Sequence, residues 1–163
     1  ACTARNIVAA RCGFWRATGA TPGACHIAGF FQSGLFVSSD NGTTFSPVSS
    51  FSSFVYAWAN NDLGHLLAAT NSGIYRSTDN GVTFTSVTAS GDYKGIVMIS
   101  DGTLIALKGN NVFRSIDNGA TWTELSESFQ DAYSIAKLDG NKVGLVSDKN
   151  IYVSSDGGIT WTS

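Results

Sequence analysis

The chain has 163 residues, which is the size of one domain and is enough to bury a hydrophobic core. Only 13% of the residues are charged, against roughly 25% in an average protein, and the net charge of −2 excludes the basic surface that binds nucleic acid or anionic membranes. The apolar runs are far shorter than the roughly 20 residues that insert across a bilayer.

The N-terminal segment, residues 1–12, contains the run TARNIVAAR, which predicts an extra β-strand that is a candidate for closing a ring. Three cysteines, Cys2, Cys12 and Cys25, fall in the first 25 residues, and none has the spacing of a zinc site. A disulfide between Cys12 and Cys25 is one alternative. A bridge from Cys2 to either of them is another, and buried thiols are the third.

Four units with the same order of parts follow. In the second unit, the β-rich runs FVYAWAN, HLLAAT, IYRST and TFTSV are separated by the turns NDLG, NSG and DNG. Short alternating runs joined by such turns predict an antiparallel meander of four strands. The same order recurs in each unit, and the units cover residues 13–50, 51–89, 90–127 and 128–163.

A repeat of about 40 residues with four strands is typical of a propeller blade. One such sheet cannot cover both of its faces, so it packs face to face against the next. We therefore predict an all-β fold, a β-propeller of four-stranded antiparallel blades with four blades in this chain. Two assemblies remain open: a closed four-blade ring, or part of a larger ring completed by further sequence or by another copy of the chain.

Each unit carries the pattern Ser-x-Asp-x-Gly-x-Thr-Phe/Trp before its last strand. The glycine supplies a positive φ, and the aspartate can accept hydrogen bonds from the backbone of its own turn. The serine and threonine hydroxyls can satisfy further backbone groups, and the aromatic ring can be buried between blades. The motif residues are Asp40, Gly42 and Phe45; Asp79, Gly81 and Phe84; Asp117, Gly119 and Trp122; and Asp156, Gly158 and Trp161.

These strings resemble the Asp-boxes, or BNR repeats, of sialidases, sortilin-type receptors, xyloglucanase-type glycosidases, a photosystem assembly factor and propeller lectins. The resemblance covers residues 13–163, and all four boxes match at every defined position. It implies boxes at the periphery of a propeller, between the third and fourth strands, where the four carboxylates brace turns and catalyse nothing. The catalytic set of sialidases does not carry over, because the only glutamates, Glu124 and Glu127, directly follow a box.

One recurring feature could bind a ligand. An aromatic residue lies 23 to 25 residues before each box aspartate, at the start of the predicted innermost strand. Inner strands line the channel of a propeller, so these rings could form a stacking platform for sugars or for side chains of a partner; packing between blades is the alternative. The residues are Trp15, Phe54, Tyr93 and Tyr133, with Arg16 and Lys94 adjacent.

The expected function is a non-catalytic binding or structural module, secreted or on the surface of a cell or virion, that recognises a glycan or a protein partner. The alternative is a fragment of a sialidase- or xyloglucanase-like glycoside hydrolase with its catalytic residues mostly outside this chain. No cofactor or metal site is predicted, because His26 and His65 lack companion ligands.

Overall fold

The structure, a computed structural model, describes residues 14–18, 25–31, 34–38, 44–48, 52–60, 63–79, 81–99 and 101–163. In the three strands before residue 39, Phe36 is the one residue whose side chain is described. The predicted strand within residues 1–12 lies outside the described residues, as do Cys2, Cys12, Asp40 and Gly42.

All elements of the described part of the chain are β-strands, and every strand pair is antiparallel. The all-β prediction is therefore confirmed. No described residue belongs to a helix long and apolar enough to cross a membrane. The first sheet comprises β1 (Phe14–Thr18), β2 (Cys25–Phe31), β3 (Gly34–Ser38) and β4 (Ser46–Pro47), and the second comprises β5 (Val55–Asn60), β6 (Leu66–Thr70), β7 (Gly73–Ser77) and β8 (Thr85–Ser86).

The third and fourth sheets repeat this order, with one difference. The fourth sheet has three strands and a single bridge between Val153 and Thr162 where a fourth strand was predicted. The third sheet comprises β9 (Tyr93–Met98), β10 (Leu104–Lys108), β11 (Asn111–Ser115) and β12 (Thr123–Ser128), and the fourth comprises β13 (Ala132–Lys137), β14 (Val143–Ser147) and β15 (Ile151–Ser154).

Three hydrophobic clusters lie between successive sheets, so the sheets stack face to face. Val48, which follows β4, packs with Val55 and Phe84 of the second unit. Between the second and third sheets lie Leu67, Ala69, Ile74, Ile96, Leu104 and Ala106, and between the third and fourth lie Ile105, Leu107, Val112, Ile135, Val143 and Leu145. Burial of these faces by a neighbouring sheet is the main apolar driving force in such a stack.

Each described box is a closed set of hydrogen bonds. Ser77 Oγ donates to Asp79 Oδ1 at 2.7 Å and accepts the Gly81 N–H at 2.8 Å. The Thr83 N–H donates to Asp79 Oδ1 at 2.9 Å, and Thr83 Oγ1 donates to Oδ2 at 2.6 Å. The threonine hydroxyl thus bonds the carboxylate, whereas the sequence suggested a backbone partner. The same four bonds recur around Asp117 and Asp156.

The box glycine also contacts the preceding sheet. Gly119 has φ +79°, and a Cβ there would lie 2.1 Å from Leu67 Cδ2 of the second sheet. Gly158 has φ +87°, and its Cβ would lie 3.0 Å from Ile105 Cδ1 of the third sheet. Glycine is therefore required for the turn and for the close approach of two sheets.

An arginine of the second sheet and one of the third each reach the box turn of the sheet that follows. Arg76 Nε donates to the carbonyl oxygen of Asn118 at 2.8 Å. Arg114 Nε donates to the carbonyl oxygen of Gly157 at 3.2 Å. Asn118 and Gly157 both directly follow a box aspartate, so the two bonds are equivalent. We call each combination of arginine, box carbonyl and box glycine a junction clamp.

Candidate binding site on the inner strands

The first strands of the second, third and fourth sheets lie side by side; they are β5, β9 and β13. They border a cleft of about 630 Å³. Residues 56–60, 96–98 and 135–137 line it, and most of them are apolar. The predicted channel residues can be compared with the position of this cleft.

All three of these strands have a β-bulge at the same place. Register shifts between Val55 and Ala57, between Tyr93 and Gly95, and between Ala132 and Ser134 each leave one extra residue. A bulge turns the extra side chain out of the regular alternation of its strand. The extra residues are Tyr56, Lys94 and Tyr133, and all three are exposed.

The bulges explain where the predicted aromatic residues lie. Tyr133 occupies a bulge and is about half exposed, as expected for a platform. Phe54 is also about half exposed, with its ring centroid 5.1 Å from that of Tyr56. The bulge position that holds Lys94 in the third sheet and Tyr133 in the fourth holds Tyr56 in the second. Counting back from the box aspartates did not single out Tyr56.

Tyr93 does not join these exposed rings. It is 2% exposed and packs edge-on against Phe113 with a centroid distance of 5.5 Å. Lys108 Nζ lies 5.4 Å from the Tyr93 ring centroid, and burial raises the pKa of the Tyr93 hydroxyl. The structure therefore gives Tyr93 the packing role that the sequence left as the alternative.

Three other candidates can be placed only by their backbone. Trp15 and Arg16 lie in β1, and Cys25 begins β2, but their side chains are outside the described residues. Cys12 is outside them altogether, so the Cys12–Cys25 bridge stays a prediction.

Tyr56 also interacts with Asp92, which directly precedes β9. Their hydrogen bond, with smaller contributions from burial and from the charge of Asp92, raises the pKa of the Tyr56 hydroxyl. Tyr56 therefore keeps its proton at neutral pH, and its hydroxyl donates a hydrogen bond to the Asp92 carboxylate. This pair connects the second and third sheets at the bulged ends of β5 and β9.

Trp58 follows Tyr56 by two residues on β5 and faces the core. It is buried and packs against Phe84 with a centroid distance of 5.9 Å. The bulge at Tyr56 separates the two side chains, since regular alternation would place both on one face.

The box carboxylates are spread over successive sheets and do not converge on the cleft. Asp79 and Asp117 precede β8 and β12 in their own sheets, and Asp156 follows β15. Their oxygens accept the hydrogen bonds of their own turns. Within the described residues, no group of three His, Cys, Asp or Glu side chains could hold a metal ion.

Comparisons with known proteins agree with this geometry. The family model described as BNR/Asp-box repeat matches residues 152–163. No curated protein matches the chain by sequence.

Several solved structures share the fold. The GH74 enzyme of Niastella koreensis has a TM-score of 0.69 and 18% identity over 86% of this chain and 22% of its own. YCF48 from Cyanidioschyzon merolae has a TM-score of 0.66 and 12% identity over 96% of this chain and 57% of its own. YCF48 bound to D1 peptide has a TM-score of 0.60 and 16% identity, with coverage of 84% and 48%.

The chain thus spans about half the length of the YCF48 proteins and less than a quarter of the GH74 enzyme. At these identities the likeness concerns the fold. Residues 152–163 thus match an Asp-box (BNR) repeat, the corners around Asp79 and Asp117 have the same hydrogen bonds as the corner around Asp156, and the solved structures share the sheet architecture.

Proposed function

We propose that the chain is a non-catalytic binding module, acting outside the cell or on a surface, whose inner strands recognise a glycan or a protein partner. The observation that carries the proposal is the set of three equivalent bulges, which project Tyr56, Lys94 and Tyr133 from neighbouring strands. Bulges are frequent where a side chain has to be aimed at a ligand.

The chemistry of these residues suits binding. Exposed tyrosine and phenylalanine rings offer apolar faces for stacking on a sugar or a partner side chain, and the tyrosine hydroxyls offer polar contacts. Lys94 and Asp92, both exposed, add one charge of each sign. Tyr56 is a hydrogen-bond donor with a raised pKa, the opposite of what a tyrosine nucleophile needs.

We further propose that the four sheets are blades of a ring larger than this chain. Two equivalent junction clamps stack successive sheets in the same way, which supports a radial arrangement. A closed ring of four would need the outer face of the fourth sheet to be covered, and Ile151 on that face is 66% exposed.

The binding proposal is tested with a glycan array and a peptide array probed with the labelled chain. We expect retention of a subset of ligands, and a loss of at least about tenfold in affinity for Tyr133→Ala, the cost of one well-placed ring. Tyr56→Phe keeps the ring but removes the bond to Asp92, so it separates stacking from polar recognition. Ile159→Ala, exposed in the fourth box, is the matched control. Absence of binding on both arrays would overturn the proposal.

A second candidate is a fragment of a sialidase- or xyloglucanase-like glycoside hydrolase whose catalytic residues lie mostly outside this chain. The fold shared with the GH74 enzyme of Niastella koreensis favours it. A fluorogenic glycoside assay separates the two candidates. Turnover by the 163-residue chain at enzyme-like rates would replace the first proposal by the second.

A further inference from the structure

The third box contains an Asn-Gly dipeptide, Asn118–Gly119, at its turn. Asn-Gly is the sequence at which asparagine loses its side-chain amide most readily, because glycine has no Cβ to hinder attack by its backbone nitrogen. Three of the four boxes carry this dipeptide, and the fourth has Gly157–Gly158 in its place. The geometry of the box turn therefore decides whether a labile dipeptide reacts in the folded chain.

The reaction joins these two neighbouring residues. Hydroxide from solvent removes the proton of the Gly119 N–H, and the nitrogen forms a bond to Cγ of Asn118. The bond between Cγ and Nδ2 breaks, and the amide leaves as ammonia after taking a proton from water, which restores the hydroxide. Water then opens the succinimide ring, so that aspartate or isoaspartate replaces the asparagine.

The box turn holds the Gly119 nitrogen away from Cγ. Asn118 and Gly119 have φ of +58° and +79°. The Ala120 N–H donates to the carbonyl oxygen of Asp117 at 3.3 Å, which closes a type I′ turn. In this turn the first central residue has ψ of about +30°, which places the Gly119 nitrogen and the Cβ of Asn118 on opposite sides of the Cα–C bond. Ring closure needs the two atoms eclipsed about that bond, so the type of turn that favours Asn-Gly also keeps it from reacting.

Both polar groups of the Asn118–Gly119 peptide are held as well. Its carbonyl oxygen accepts a hydrogen bond from Arg76 Nε at 2.8 Å, and its N–H donates to Ser115 Oγ at 2.9 Å. Gly119 is buried, which keeps hydroxide from its N–H. Rotation of the peptide towards Cγ breaks both hydrogen bonds at once, because the carbonyl and the N–H belong to the same plane.

We propose that Asn118 is a self-modification site that the junction of the second and third sheets keeps closed. The reaction takes place only while the Asn118–Gly119 peptide has left Ser115 and Arg76. Isoaspartate adds a methylene group to the main chain of the turn, and Gly119 has no room to shift, because it lies against Leu67. The modified turn cannot form the junction clamp again, so a transient opening of the two sheets becomes permanent.

Peptide mapping by mass spectrometry measures how fast Asn118 is converted in the folded chain and in a synthetic peptide of residues 112–124 in the same mildly alkaline buffer. The peptide carries the same dipeptide without the second sheet. We expect conversion in the folded chain to be at least about tenfold slower, since the turn must open before the ring can close. Equal rates in the chain and the peptide would overturn the proposal.

Two variants test the groups that hold the peptide. Ser115→Ala removes the acceptor of the Gly119 N–H, and Arg76→Ala removes the donor to the Asn118 carbonyl oxygen. Each is expected to speed the conversion of Asn118 in the folded chain about fivefold, the factor that the net worth of one hydrogen bond implies. Unchanged rates in both variants would contradict the proposal.

The fourth box provides matched controls. Ser154→Ala and Arg114→Ala remove the equivalent groups around the Gly157–Gly158 peptide, which has no side-chain amide. Both should leave the rate at Asn118 unchanged. If they speed the conversion as much as the first pair does, the reaction follows general unfolding and the proposal is wrong. Circular dichroism checks that the four variants are folded, and the comparison of the wild-type chain with the peptide does not depend on them.

Discussion

At the scale of single residues, the box aspartate is the acceptor on which each corner depends. Asp117 accepts bonds from the Ser115 hydroxyl and from the N–H and hydroxyl of Thr121. Ser115 in turn accepts the Gly119 N–H at 2.9 Å. Removal of one carboxylate therefore leaves several donors without a partner, which costs more than the loss of one bond.

We expect Asp117→Ala to lower the free energy of unfolding by about 1–3 kcal/mol, because the partly buried Ser115 hydroxyl and the two donors of Thr121 lose their acceptor. Urea denaturation followed by tryptophan fluorescence measures the change. Asp148→Ala, in an exposed turn, serves as the control and is expected to have little effect. A loss for Asp117→Ala no larger than that of the control would show that the corner does not depend on its carboxylate.

The same carboxylates make the fold sensitive to acid. Hydrogen bonds from Thr83 and Thr160 lower the pKa of Asp79 and Asp156 to about 2, and at Asp117 the bonds from Thr121 outweigh an opposing effect of burial to give about 2. Because the pKa of these carboxylates in the folded chain lies below the ordinary 3.8, their contribution to stability is complete at pH values above 3.8. It is lost as the pH falls towards 2.

We therefore expect the urea midpoint to stay level above about pH 5 and to fall between about pH 4 and pH 2. The measurement is a series of urea titrations across this range. Asp117→Asn, which cannot ionise, should show a shallower fall than the wild-type chain. An equally steep fall in this variant would assign the acid sensitivity to other groups.

At the scale of strands and sheets, the junction clamps decide how one element meets the next. Gly119 and Gly102 both have positive φ, +79° and +83°, but differ in their surroundings. A Cβ on Gly102 would have no atom within 4 Å, whereas one on Gly119 would overlap Leu67. The pair separates the cost of backbone conformation from the cost of pushing two sheets apart.

We expect Gly102→Ala to destabilise the chain by about 1 kcal/mol, the conformational cost alone. Gly119→Ala should cost roughly 2–4 kcal/mol, because the two sheets must separate or repack. Thermal or urea unfolding gives both values. Adding Leu67→Ala to Gly119→Ala should recover part of the loss in a double-mutant cycle. Equal costs at the two glycines would mean that the close approach is unimportant.

The strands and corners could be predicted from the sequence because their signals are local. Alternation, Asn-Gly and Asp-Gly turns, and the box pattern each lie within a few residues. The bulges at Tyr56, Lys94 and Tyr133 carry no such signal, since they depend on how β5, β9 and β13 pair with their neighbours. For that reason the sequence left Tyr93 open between a binding platform and packing, and it did not single out Tyr56.

At the scale of the whole molecule, the sheets form a linear series in which clamps connect neighbours. Arg76 connects the second sheet to the third, and Arg114 connects the third to the fourth. Stability in such a series is close to a sum of unit and nearest-neighbour contributions. The two clamps are therefore expected to act separately.

We expect Arg76→Ala and Arg114→Ala each to lower the free energy of unfolding by about 1–3 kcal/mol, because each leaves a carbonyl oxygen without its charged donor. The double variant should show the sum of the two losses to within about 0.5 kcal/mol. Equilibrium unfolding of the three variants tests this. A double variant that differs from the sum by much more would indicate coupling across the third sheet.

The hydrogen bonds of the box have a further consequence for how the chain acquires its structure. From Ser77 to Thr83, every partner of Asp79 and Ser77 lies within four residues along the chain. Contacts of such short range close quickly and need no distant segment. Each corner can therefore form while its unit is still emerging from the ribosome, before the sheet that will lie against it has been synthesised.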